Sequence, residues 1–383
     1  MREPHTWDVF CRVVDHFGDA GVCWRLARQL AAEHGARVRL FIDDLSSLTR
    51  LNPALRAVQR QHLDAVEVHV WRGPLTHVTP GDIAIEAFGC GLPGEYVTAM
   101  ARLPRTPVWI VLEYLSAEPW VPEHHGRPSP HPRLPLDRYF FFPGFVRGTG
   151  GLLREADLFA RRDGYGPSER KAFWASLGFE PPVAEALTVS MYAYEHAPLD
   201  EILTAWEQGD RPLVAAIPEG PLVAAVLQHF GAKAAPANGL LRRRALEIRL
   251  LPFLPQRRYD ELLWACDCNF VRGEDSFVRA QWAARAFVWQ VYPQADGAHW
   301  RKLGAFLSLY GEELPPRARD AVGHLTRAWN QRDDPAVRAG SAWRAFAGEL
   351  DSLRNYGRAW AERIGSVGAL TANLARFCRD KLK

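Results

Sequence analysis

The sequence predicts an α/β protein of two doubly wound, Rossmann-like domains in tandem, followed by a helical C-terminal tail. Three observations predict it. Strand-like and helix-like stretches alternate through the first third of the chain, and a second alternation starts at residue 186. Strands alternating with helices imply βαβ units and a mostly parallel sheet covered on both faces. The chain is 383 residues long, 48% hydrophobic and 24% charged, enough for two domains with sizeable cores. Between the alternations, a proline-rich stretch at 118–135 and a glycine- and charge-rich one after Phe145 carry no packing period.

In the first half, WDVFCRVV (7–14) reads as a strand, followed by a glycine-containing loop. A helix follows over 21–34, with Val22, Leu26 and Leu30 on one face. Runs at 37–43, 66–71, 82–88 and 106–112 are β-branched and apolar, with a short helical pattern at 94–102. In the second half, strands are expected at 186–194, 212–218, 246–251, 268–272 and 287–292. Helices are expected at 199–208, 221–230, 258–266 and 275–286, and the tail from His299 reads as helical. The expected domains are 1–155, completed by a helix at about 360–383, and 184–350, with 156–183 as a linker.

Lys+Arg 47 against Asp+Glu 44 gives a net charge of +3, which supplies no electrostatic footprint for nucleic acid or a membrane surface. No apolar run reaches the length of a membrane span, and MREPHTWDVF has charges where a signal peptide needs an apolar core. The six cysteines lack zinc-ribbon spacing and read as free thiols in a reducing cytoplasm.

Two doubly wound domains place a ligand at the carboxyl ends of their strands, in the cleft where the domains face each other. Glycosyltransferases, two-domain dehydrogenases and binding proteins share that architecture. The loop after the first strand, VDHFGDAG (14–21), lacks the GxGxxG that a dinucleotide fold needs against a pyrophosphate. It offers Asp15 and Asp19 instead, as helix caps or as a carboxylate pair able to hold a cation and take a proton. Asp43 and Asp44 end the second strand without DxD spacing. In the second half, NFVRGEDSFVRAQ (269–281) is a strand, a glycine turn and a helix start. That is either a helix capped by Asp275 or Ser276, or an anion site reinforced by Arg272. Tyr192, Tyr194, Phe253 and Tyr259 lie at strand ends or helix starts of the same half, as packing or as a nucleobase platform.

WDVFCRVVDHFGDAGVCWRLARQL and LPFLPQRRYDELLWACDCNFVRGEDSFVRAQWA, with TVSMYAYE between them, closely resemble the bacterial protein-arginine rhamnosyltransferases that modify elongation factor P, the EarP family. The likeness spans essentially the whole chain. It implies a GT-B fold and inverting transfer of L-rhamnose from dTDP-β-L-rhamnose to one arginine of elongation factor P. The modified factor relieves ribosomes stalled on consecutive prolines. The alternative is a GT-B transferase with another nucleotide sugar or acceptor.

The resemblance also implies roles. Asp15, Asp19 and Glu274 match the family's essential acids, with Asp19 as the general base. Arg272, Asp275, Ser276, Tyr194 and Gln256 match the group around the dTDP phosphates and ribose, and Tyr192, Phe253 and Tyr259 match the aromatics around thymine. No metal or other cofactor is expected. The expected partners are the donor sugar nucleotide and the N-terminal domain of elongation factor P, with no nucleic acid and no membrane.

Overall fold

The structure, a computed structural model, describes residues 5–331 and 338–382. It divides into two compact units, residues 1–156 with 363–383 and residues 157–362.

The first unit opens with β1 (Thr6–Cys11), α1 (His16–His34), β2 (Arg37–Ile42), α2 (Leu45–Leu51), β3 (Arg60–Leu63) and β4 (Val66–Val70). It continues with β5 (Ile83–Ala87), α3 (Gly94–Met100), β6 (Val108–Leu112), α4 (Val121–His124), β7 (Pro128–Pro130) and β8 (Asp137–Phe141). The eight strands form one sheet in the order β3-β4-β2-β1-β5-β6-β8-β7. Only the outer pairs β3/β4 and β7/β8 are antiparallel. The central strands β1, β5 and β6 are almost wholly buried, as covering on both faces requires. Asp8, buried within β1, is satisfied by a bidentate bond from Arg39 at 2.6 Å, the Gly81 amide at 2.8 Å and the Tyr96 hydroxyl. A buried carboxylate needs that many donors.

In the second unit, α5 (Leu158–Asp163) and α6 (Pro167–Ser176) precede β9 (Leu187–Met191), α7 (Leu199–Glu207), β10 (Leu213–Pro218) and α8 (Leu222–Phe230). Then come β11 (Leu240–Arg243), β12 (Leu246–Leu251), α9 (Gln256–Ala265), β13 (Cys268–Arg272), α10 (Asp275–Trp282) and β14 (Ala286–Gln290). The sheet order is β11-β12-β10-β9-β13-β14, antiparallel only at β11/β12. A helical tail completes the chain: α11 (Ala298–Gly311), α12 (Pro316–Trp329), α13 (Ala339–Ala347), α14 (Leu350–Gly365) and α15 (Leu370–Lys381). Trp206, Trp329 and Trp343 pack around Phe270 of β13, so much of the tryptophan content is core.

The expected linker at 156–183 is corrected. Residues 157–183 belong to the second unit, where α6 buries Phe173 and Trp174 with Phe179, Leu251, Leu254 and Leu262. The Arg162 guanidinium of α5 donates to the Trp282 carbonyl at 3.0 Å. The apolar residues are too few and too irregularly spaced to show a period, but each is large. The second unit runs on to Glu362, and residues 363–383 return to the first. There the Leu370 amide donates to the Leu152 carbonyl at 2.9 Å, and the Asn373 side chain donates to the Gly150 carbonyl at 3.0 Å.

Candidate active site

In an open parallel sheet, ligands bind at the carboxyl ends of the strands where the connections change direction. In the first unit that point lies between β1 and β5, and in the second between β9 and β13. Most of the sequence-predicted residues sit on these strand ends.

Asp15 is the N-cap residue of α1 and Asp19 lies in its first turn, so the helix begins five residues earlier than the pattern suggested. Gly18 explains the tight start: its amide donates to the Asp15 carbonyl at 2.6 Å, and a β-carbon there would meet Asp15 Oδ2 at 2.7 Å. The Asp15 side chain makes no capping hydrogen bond to the helix. Asp19 turns back instead, and its Oδ2 accepts from the amides of Val14 at 2.8 Å and Asp15 at 2.9 Å. Only 2% of Asp19 is exposed. Burial lifts its carboxyl above the ordinary range against the pull of those two amides; the Asp15 charge adds to the lift, and a hydrogen bond from Tyr114 opposes it. A buried carboxylate held this way is a stronger proton acceptor than a solvated one.

The neighbouring acids are accounted for differently. Asp43 Oδ1 accepts from the Val13 amide at 2.9 Å, and Asp44 caps α2 through the Ser46 amide at 2.9 Å and the Ser47 hydroxyl at 2.7 Å. Among the described residues, no three His, Cys, Asp or Glu side chains form a metal-holding cluster. All six cysteines are free thiols.

In the second unit, Tyr192 and Tyr194 follow β9, and Arg272 ends β13. The Arg272 guanidinium lies 4.4 Å from the Tyr192 ring centroid and 4.5 Å from that of Tyr194, and donates to the Tyr192 hydroxyl at 2.9 Å. Two aromatic faces and one hydroxyl thus fix the direction of its charge. The Tyr192 and Tyr259 rings meet edge to face with centroids 6.1 Å apart. The Tyr194 amide donates to Gln290 Oε1 at 2.7 Å.

Gly273, in the left-handed region at φ 60°, turns the chain from β13 into α10. Its carbonyl accepts from the Trp289 indole at 2.8 Å and its amide donates to the Gln290 carbonyl at 3.2 Å. Glu274 is the N-cap residue of α10 and makes no side-chain capping bond. Neither Asp275 nor Ser276 is the cap. The Ser276 hydroxyl accepts from the Arg272 amide at 3.1 Å and donates to the Arg272 carbonyl, closing the turn. Asp275 Oδ2 accepts from Gln256 Nε2 at 3.3 Å, joining the starts of α9 and α10. The first-turn amides of a helix lack intrahelical partners, so this terminus with Arg272 beside it can receive an anion. Phe253 lies half-buried between β12 and α9.

Two features escaped the sequence reading. Tyr114, just past β6, gives no pattern that points to Asp19. Arg279 and Asp260, a buried pair joining α10 to α9, could have been found: each is a charge among the mostly apolar buried residues of its helix.

The sequence model of the family described as Elongation-Factor P (EF-P) rhamnosyltransferase EarP matches residues 7–379. A protein-arginine rhamnosyltransferase of Pseudomonas putida is 46% identical over 98% of this chain and 99% of its own. One from Pseudomonas aeruginosa is 42% identical over 98% and 100%. A solved structure described as the structural basis for EarP-mediated arginine glycosylation of translation elongation factor EF-P is 35% identical, with a TM-score of 0.70, covering 98% of this chain and 99% of that one. A glycosyltransferase structure from Rickettsia africae shares the fold at a TM-score of 0.55 and 8% identity.

Proposed function

We infer that this chain, which belongs to the EarP family of elongation factor P rhamnosyltransferases and has the GT-B fold, moves L-rhamnose from dTDP-β-L-rhamnose to one arginine in the N-terminal domain of elongation factor P, inverting the anomeric carbon. The activity belongs in the cytoplasm with its acceptor, a translation factor, and serves ribosomes stalled on consecutive prolines. No helix of the described residues is long and apolar enough to cross a membrane.

The observation that carries the reading is the buried, proton-seeking Asp19 beside Asp15 at the end of β1. A guanidinium has a pKa above about 12, so it reaches the enzyme as a delocalised cation and a poor nucleophile. Two carboxylates can hold different N–H edges and align one nitrogen for attack. Asp19 then takes the proton as the C–N bond forms and the glycosidic C–O bond to dTDP breaks. The leaving diphosphate gathers negative charge, which the start of α10 and Arg272 stabilise without a metal ion. Tyr192, Phe253 and Tyr259 hold the thymine, while Tyr194, Gln256, Asp275 and Ser276 surround the ribose and phosphates. Glu274, a carboxylate beside an anion site, serves the sugar hydroxyls and not the phosphate.

Incubating the protein with dTDP-rhamnose and unmodified elongation factor P should raise the mass of the factor by one deoxyhexosyl residue. An unchanged mass, or a gain only from another sugar nucleotide, replaces this reading with a different donor or acceptor.

A further inference from the structure

We propose that Tyr114 is a positioning residue for the base: its hydroxyl holds the Asp19 carboxylate in its ionised, acceptor-facing state. The inference rests on the reading of Asp19 as general base. Strands β1, β5 and β6 are neighbours in the sheet, so their carboxyl ends lie in a row. Asp19 lies in the first turn of the helix that follows β1, Phe88 follows β5 directly, and Tyr114 lies two residues beyond β6. The Tyr114 hydroxyl is hydrogen-bonded to Asp19, and its ring stacks on Phe88 with centroids 4.4 Å apart and planes 17° from parallel.

The Phe88 backbone is the unusual part. Its φ of 57° is in the left-handed region, where a bulky side chain is strained, and Gly89 at 63° and Gly91 at 74° continue the same turn. Such strain persists only where the surroundings over-determine it. Here the Phe88 amide donates to the Leu112 carbonyl at 2.7 Å, tying the turn to the end of β6. Buried Glu86 accepts from the Gly91 amide and the Trp109 indole, each at 3.0 Å. The strained turn therefore sets Phe88 under Tyr114, and Tyr114 against Asp19. A ring that served only packing would have no need of a phenol aimed at a carboxylate.

The groups facing Asp19 are the Asp15 carboxylate, the amides of Val14 and Asp15, the Cys23 thiol on α1 and the Tyr114 hydroxyl. The Tyr114 hydroxyl donates to the charged form of the carboxylate, so its loss favours the protonated, non-basic form.

The test is Tyr114→Phe, which keeps the ring and removes the hydroxyl. The Asp19 carboxyl is titrated by carbon NMR on aspartate-labelled protein, assigned with Asp19→Asn. The midpoint should rise by about half a pH unit or more, since a donor to the charged form is lost. On elongation factor P, kcat/KM should fall by about threefold or more at the acid end and recover as pH rises, because below the midpoint the ionised fraction falls tenfold for each pH unit by which the midpoint rises. A merely structural role would lower activity equally at every pH. An unmoved Asp19 midpoint overturns the proposal whatever the activity does. A wild type that leaves elongation factor P unmodified overturns the transfer reading instead, and the titration still decides whether Tyr114 governs Asp19.

Discussion

The guanidinium of Arg279 closes on the carboxylate of Asp260 through bonds of 2.9 Å from Nε and 2.7 Å from Nη2, with both side chains about 1% exposed. The pair bolts α10 to α9, the helices whose first residues include Asp275 and Gln256. Arg279→Met leaves a buried carboxylate without its cation and should cost about 3–5 kcal/mol, read as a large fall in denaturation midpoint. The double change Arg279→Met with Asp260→Leu should recover most of it. Equal losses in the Arg279→Met and double variants would show that the cost does not come from the carboxylate left without its cation.

Asp19→Asn should leave dTDP binding intact, because the residues proposed to hold the nucleotide are in the second unit, and lower transfer by about 100-fold or more, the scale of a lost general base. The asparagine oxygen can still accept from the amides of Val14 and Asp15, so the loop is kept. Transfer near the wild-type rate would leave Asp19 as a loop fastener alone.

The same variant has a pH signature in stability. The folded state raises the Asp19 carboxyl above its ordinary value of 3.8, mainly by burial. The folded state therefore gains from Asp19 below that value and loses the gain as pH rises through the folded value. Asp19→Asn does not titrate, so its melting temperature should rise relative to wild type across that window and level off above it. A constant difference from pH 4 to 8 would contradict the raised carboxyl.

Phe253→Ala should weaken dTDP binding by about 1–3 kcal/mol, the worth of one base–aromatic stack. Calorimetry showing unchanged affinity in a folded variant assigns Phe253 to packing.

Excess EDTA should leave the transfer rate unaltered, because in the proposed reaction Arg272 and the start of α10 supply the charge facing the diphosphate. Loss of activity restored by Mg²⁺ or Mn²⁺ would return Asp43 and Asp44 to consideration despite their present roles in loop and cap.

Elongation factor P should be read as a folded domain. Aligning one nitrogen of a flexible arginine between two short carboxylates requires order, at roughly 1–2 kcal/mol per backbone residue fixed. A linear peptide around the target arginine should therefore show kcat/KM about 100-fold below that of the isolated N-terminal domain. Performance of the two within about threefold of each other contradicts this, since the ordering cost of even one residue would then be missing.

The central strands themselves were legible, because buried β6 is an unbroken apolar run and β5 is interrupted only by Glu86. The edge strands were not: β3 (RQHL) and β11 (LLRR) each pair on one side only and carry mixed residues. Residues 157–183 look like a linker in sequence because α6 packs through two adjacent aromatics, Phe173 and Trp174, which make no repeat. Asp19 stood out as a carboxylate at a strand end, but its turn back onto the Val14 amide depends on Gly18, whose role shows only in three dimensions. Tyr114 meets Asp19 from about a hundred residues away, through a sheet order that pattern alone does not supply.

Helix α15 fastens to residues 150 and 152 of the first unit, and its last turn is joined by the Arg105 guanidinium at the Leu382 carbonyl. Protein synthesis is vectorial, so every residue of the second unit leaves the ribosome before the first unit can acquire this helix. The aspartate-bearing unit is thus the last to be finished although it is the first to be made. A message truncated near its 3′ end would yield a chain whose second unit is whole and whose first unit lacks its closing helix.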